Sequence, residues 1–166
     1  FWIVSLFNVF LVQAVFLWII AFAMQYGQLS SIPARVTWLD ICGTLVWLVG
    51  FGFEAVGDWQ LARFKLNPAN QGKVMDHGLW AYTRHPNYFG EMLIWWGIFL
   101  IVLSTPGSMW TIISPVLITI TLIKITGVAL TEKIILEKKS KYAEYIANTS
   151  AFIPWFPKRR QNECHD

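Results

Sequence analysis

Charge is scarce in this sequence. Asp, Glu, Lys and Arg make up 14% of its 166 residues, against about 25% in a typical soluble domain. That shortfall argues against a water-soluble globular chain. Cysteine is nearly absent: Cys42 sits in an apolar stretch and Cys164 near the end. Two such residues make neither a disulfide framework nor a metal pattern. His77, His85 and His165 are not spaced as metal ligands, so no metal site is expected. No Gly-x-Gly-x-x-Gly fingerprint, phosphate-binding P-loop or Gly-x-Ser-x-Gly elbow is present, so any nucleotide site must be built between helices. Basic residues flank apolar runs rather than form a stripe, which excludes nucleic acid as a partner.

What the chain has instead is apolar surface. Hydrophobic residues make up 55% of it, with ten Trp and twelve Phe, and the mean hydropathy is positive. Aromatics collect at membrane interfaces. A membrane β-barrel would alternate polar and apolar residues in segments of about ten, but these runs are continuous. The expectation is an all-α, polytopic membrane helix bundle forming one domain over 1–166. The chain opens on Phe1-Trp2-Ile3 with no basic leader, so it is expected to be the C-terminal part of a longer protein with further helices upstream.

Four spans are expected: Phe1 to Met24, about Trp38 to Val56, near Pro86 to Ser104, and about Met109 to Leu130. Turn-like segments separate them at Gln25 to Pro33 and at Thr105-Pro106-Gly107. Arg35 is the sole cation on one side of this arrangement. The other side carries Arg63, Lys65, Lys73 and Arg84, then Lys133, Lys138, Lys139, Lys141, Lys158, Arg159 and Arg160. That asymmetry puts the 57–85 loop and the C-terminus in the cytoplasm. Lys124 lies inside the fourth span, where it either snorkels to the interface or pairs with Glu54 or Glu91.

Gly43, Gly50 and Gly57 recur every seven residues on one helix face, a pattern for close helix packing in lipid. Glu54 and Asp58 stand four apart near the end of that span, where acidic groups face cavities or partners. The loop beyond brings Lys65 and Lys73, either interfacial anchors or groups that hold phosphates. Arg84-His85-Pro86-Asn87-Tyr88-Phe89-Gly90-Glu91 follows. Pro86 suits the first turn of a helix, and a helix start favours an anionic ligand. Asn87, Glu91 and Trp95 then align at i, i+4 and i+8, an amide, a carboxylate and an indole at a helix mouth. Thr131 to Ser150 reads as an amphipathic helix, lying along the interface or folded back as a lid. The aromatic block at 152–157 returns to the interface in either case.

Trp59 to Lys65, His77-Gly78-Leu79-Trp80, Arg84 to Glu91 and Ser150 to Trp155 together resemble the C-terminal domain of the steroid 5α-reductase family, closest to a bacterial branch. The likeness runs from roughly Trp38 onward. It implies a multi-helix membrane enzyme that uses NADPH to reduce a carbon–carbon double bond conjugated to a ketone. By matching position, Asp58, Asn87, Glu91 and Trp95 resemble cofactor-site residues. Lys65 and Lys73 fall where the steroid reductases carry arginines near the phosphates. Arg84, His85 and Tyr88 complete the candidate set. The family's proton-donating Glu and Tyr lie on upstream helices, so no catalytic acid is assigned here. Isoprenylcysteine carboxyl methyltransferases carry a similar Arg-His-Pro block and a similar C-terminal Glu/Tyr segment.

The expected function is therefore NADPH-dependent reduction of a hydrophobic enone, lipid-like or steroid-like. An S-adenosylmethionine-dependent membrane methyltransferase and a non-catalytic membrane scaffold are the alternatives.

Overall fold

Long apolar runs leave the backbone one economical solution in lipid, the helix, which satisfies its own N–H and C=O groups. A computed structural model describes residues 10–31, 35–125, 128–138 and 142–158, whose regular structure is helical, with no strand among them. The expected start of the first span at Phe1, the turn residue Pro33, and Lys139, Lys141, Arg159, Arg160, Cys164 and His165 lie outside the described residues. In chain order the helices are α1 (Val12–Ile20), α2 (Phe22–Leu29), α3 (Trp38–Leu66), α4 (Pro86–Val102), α5 (Ile113–Ile120), α6 (Val128–Lys138) and α7 (Tyr142–Asn148). Short 3-10 turns occupy Pro68–Asn70, Gly78–Ala81 and Ser108–Ile112, and a π turn covers Thr121–Ile125.

Two helical stretches are long and apolar enough to cross a membrane, Trp38–Leu66 and Ser108–Ile125. The pair α1 and α2, bent by 46°, makes a third if counted as one broken span. The expected span at Pro86 forms as α4, with 17 residues. At 1.5 Å per residue it reaches about 25 Å, short of the roughly 30 Å hydrocarbon core. The four-span expectation therefore reduces to two or three spans and a shorter apolar helix. Leu45, Leu48 and Phe51 on α3 are exposed, as side chains facing lipid are. Helix α3 has 29 residues, about 43 Å of helix, so it is longer than a bilayer core is thick. Lys124 is exposed in the π turn and makes no ion pair among the described residues, which fits a snorkelling cation.

By packing, the chain falls into two units. The first comprises the described residues up to Leu48 together with Ile94–Thr119; the second comprises Val49–Leu93 with the described residues from Ile120 onward.

In the first unit, Ser114 repairs the break between α1 and α2. Its hydroxyl accepts from the Ala23 N–H at 3.3 Å and donates to the Ile19 carbonyl at 3.2 Å. A bend frees backbone groups, and a buried hydroxyl re-satisfies them. Trp18, Phe22, Trp110 and Tyr26 form an edge-to-face ladder, with centroids 5.0 to 5.3 Å apart. Gly43 and Gly97 meet backbone to backbone: a Cβ on either would lie 2.7 Å from the other's carbonyl oxygen.

The second unit repeats the device. A Cβ on Gly90 would stand 2.5 Å from the Gly50 carbonyl oxygen and the Glu54 nitrogen, and one on Gly57 would stand 3.2 Å from Pro86 Cγ. The seven-residue glycine spacing on α3 thus serves close helix approach. Its counterparts on α4, Gly90 and Gly97, are also seven apart, a spacing the sequence reading passed over.

Candidate functional site

The second unit is built around the loop between α3 and α4. Asn67 accepts from the Ala69 N–H at 3.0 Å and so caps the Pro68–Asn70 turn. Asn70 donates its amide to the Phe64 carbonyl at 3.0 Å, closing the end of α3. Further along, Gly78 takes a positive φ of 64°. A side chain there would also collide with Gln60, whose Oε1 accepts the Leu79 N–H at 3.0 Å. Buried Trp80 then donates its indole N–H to the Gly57 carbonyl at 3.0 Å.

The C-terminal segment folds back over this loop. Thr83 donates its hydroxyl to the Phe152 carbonyl at 2.8 Å, and the Arg84 N–H donates to the Ser150 carbonyl at 2.9 Å. The Trp155 N–H donates to the Tyr82 carbonyl at 2.9 Å, and the Tyr145 hydroxyl donates to the Trp80 carbonyl. The described part of the 131–150 segment thus packs against the loop between α3 and α4.

Arg84 is the centre of this junction. Its Nε and Nη2 contact the two carboxylate oxygens of Glu132 at 2.7 and 3.1 Å. Its Nη1 donates to the carbonyls of Ile146 and Thr149 at 2.9 and 2.6 Å, which satisfies the end of α7. Four of the five guanidinium donors are thereby committed to the protein. His85 lies 3.2 Å from Glu132 through Nε2 and stacks on Tyr88 with centroids 5.2 Å apart. Burial holds the His85 imidazole below its ordinary range, opposed by the hydrogen bond and charge of Glu132. Burial, with the nearby Glu132 charge, pushes the Tyr142 phenol up to about 12. Tyr145 is pushed up further, again mainly by burial.

Beneath this junction lies a cavity of about 850 Å³, within the range of roughly 300–1,000 Å³ typical of small-molecule sites. Its lining brings together Lys65 and Lys73, then Arg84, His85, Asn87 and Tyr88, and from α6 and α7 Ile134, Ile135, Tyr142 and Tyr145. Asn87 sits in the first turn of α4, and its Oδ1 is buried without a hydrogen-bond partner. A buried polar atom without a partner calls for an explanation, and a donor brought by a ligand after a small side-chain turn is one.

Six of the nine residues expected at a cofactor site therefore line one cavity: Lys65, Lys73, Arg84, His85, Asn87 and Tyr88. Three do not. Asp58 is exposed and Glu91 half-buried; with Glu54 they form a carboxylate group whose charges act on one another. Trp95 belongs to the first unit. The helical stripe Asn87–Glu91–Trp95 leaves the cavity after its first member. Arg84 lines the cavity, but its guanidinium is a structural clamp rather than an open phosphate holder. Glu132, Tyr142 and Tyr145 are the residues the sequence reading left out. Their signals were the amphipathic pattern of 131–150, open to a lid, and the Glu/Tyr segment shared with membrane methyltransferases.

Residues 1–149 match the family model described as a protein of unknown function, DUF1295. The chain belongs to that family. No curated protein and no solved structure matches it.

Proposed function

We propose that the protein is a membrane-bound reductase of the steroid 5α-reductase type, using NADPH to reduce a carbon–carbon double bond in a hydrophobic, lipid-like or steroid-like enone. The observation that carries this reading is Asn87, which lines a cavity together with two lysines and has a buried Oδ1 without a hydrogen-bond partner. That oxygen suits the N–H of a carboxamide. Lys65, in the last turn of α3, and Lys73, on the loop that follows, are both exposed and suit phosphates as point charges. Ile134, Ile135, Tyr142 and Tyr145 exclude water from above. When bound, NADPH supplies a hydride. The lysine-bearing loop faces the cytoplasm in this reading, as its charge excess favours.

A methyltransferase using S-adenosylmethionine is the second reading, favoured by one observation. With Arg84 clamped on Glu132, fewer cations are open to phosphates. The rings of Tyr88, Trp80 and Tyr142 on the cavity wall suit a sulfonium. Calorimetry with each cofactor on the full-length protein in lipid nanodiscs separates the two. NADPH is expected to bind, about tenfold more weakly in Asn87→Ala. Binding of the methyl donor alone would transfer the protein to the second reading, and binding of neither would remove both.

A further inference from the structure

The first unit contains a cavity of its own, of about 570 Å³. It lies where helices end: between the end of α2, the approach to α3 and the last turns of α4. Met24, Val36, Ile98, Ile101 and Val102 give it an apolar floor, and Gln28, Arg35, Asp40 and Ser104 give it a polar rim. Helix ends beside an apolar groove are where an amphiphile is held, head at the rim and chain along the floor.

The rim carries separated charges of both signs. Asp40 closes the first turn of α3: its Oδ2 accepts from the Thr37 N–H and the Thr37 hydroxyl, each at 2.7 Å. Its Oδ1 has a long contact from the Ser104 hydroxyl, at 3.5 Å. That hydroxyl has one proton and gives it to the Ile101 carbonyl at 2.7 Å. Oδ1 is therefore the less committed of the two carboxylate oxygens, with one long contact from Ser104 and room for a further donor. Arg35 is exposed on the same rim and forms no ion pair among the described residues.

We infer that this groove binds a phospholipid with a primary ammonium head, of the phosphatidylethanolamine kind. Arg35 takes the phosphate, Asp40 Oδ1 takes an N–H of the ammonium, and an acyl chain lies along the isoleucines. A choline head fits less well. It has no N–H to donate, and quaternary ammonium is held by aromatic cages, whereas among the described residues no aromatic ring lines this groove. An anionic glycerol head leaves Asp40 facing like charge.

The test is native mass spectrometry of the full-length protein released from nanodiscs holding equal phosphatidylethanolamine, phosphatidylcholine and phosphatidylglycerol. The wild type is expected to retain the ethanolamine lipid over the choline lipid by roughly tenfold, the worth of one charge-assisted hydrogen bond. Arg35→Gln lowers that retention by a similar factor. Asp40→Asn preserves the acceptor that caps α3 and abolishes the preference without losing bound phospholipid. Ile98→Trp, which fills the floor and touches no rim charge, lowers retention of all three lipids. Equal retention of the three lipids by the wild type would overturn the inference, as would ethanolamine retention unchanged in both rim variants. Displacement by millimolar glycerophosphoethanolamine would reassign the groove to a soluble phosphate ester and so overturn the lipid assignment.

Discussion

Arg84 holds Glu132 through two nitrogens, at 2.7 and 3.1 Å, across 48 residues of chain. Both side chains are largely buried, 8% and 16% exposed. The pair joins the loop before α4 to α6, and through Ile146 and Thr149 to the end of α7. It is the clamp that keeps the C-terminal helices over the cavity.

Removing one partner leaves a buried charge uncompensated. Arg84→Ala is expected to destabilise the protein by about 3–5 kcal/mol, read as a fall in thermal midpoint in detergent. Arg84→Lys recovers only part of this, because an ammonium lacks the planar fork that fits the carboxylate and both carbonyls. Equal stability of the Lys variant and wild type would show that the two-nitrogen grip is dispensable.

His85 gives the clamp a pH dependence. Its folded pKa lies below the ordinary 6.5, so as pH falls below 6.5 the unfolded chain takes up a proton that the folded protein resists. Stability from His85 is therefore full above pH 6.5 and is lost on acidification toward the lowered folded value. Unfolding midpoints of wild type and His85→Gln, compared between pH 7 and 5.5, should diverge in that direction. Parallel curves would place the titration elsewhere.

The glycines on α3 and α4 differ in what an added methyl meets. At Gly90 it would press on backbone atoms of Gly50 and Glu54, so Gly90→Ala is expected to cost about 1–3 kcal/mol through forced separation of the helices. At Gly52 it would meet nothing within 4 Å, and Gly52→Ala should stabilise by roughly 0.5–1 kcal/mol by restricting the unfolded chain. Thermal denaturation of the two variants side by side checks both signs.

Tyr145 ties α7 to the loop by donating its hydroxyl to the Trp80 carbonyl, in a buried setting. Tyr145→Phe keeps the ring and removes the donor, leaving that carbonyl unpaired. A loss of about 1–3 kcal/mol is expected, together with faster amide exchange at Trp155, whose N–H is held by the neighbouring Tyr82 carbonyl. Unchanged exchange there would mean the C-terminal segment docks independently of α7.

Much of the local architecture was legible because it follows from periodicity and composition. Apolar runs gave the long helices, Pro86 marked the start of α4, and the glycine spacing on α3 gave the close-packed face. The Lys65 to Tyr88 stretch was legible as a site because its polar residues crowd one segment beside a helix start. Span length was less so: a chain with a continuous apolar pattern does not announce that α1 and α2 bend by 46°, a break stitched by Ser114 from about 90 residues away.

By itself, the sequence determined the helical class, the lipid-compatible surface, the packing face of α3 and the segment that carries the candidate site. Those depend on residue type and local spacing. Only the tertiary structure decided that Arg84 is a clamp on Glu132, that Asn87 lines the cavity and keeps a buried, unpaired oxygen while Glu91 and Trp95 leave that lining, and that Tyr142 and Tyr145 join it. A side chain's free donors and acceptors depend on partners distant in sequence, and helical spacing fixes a face without fixing what packs against it.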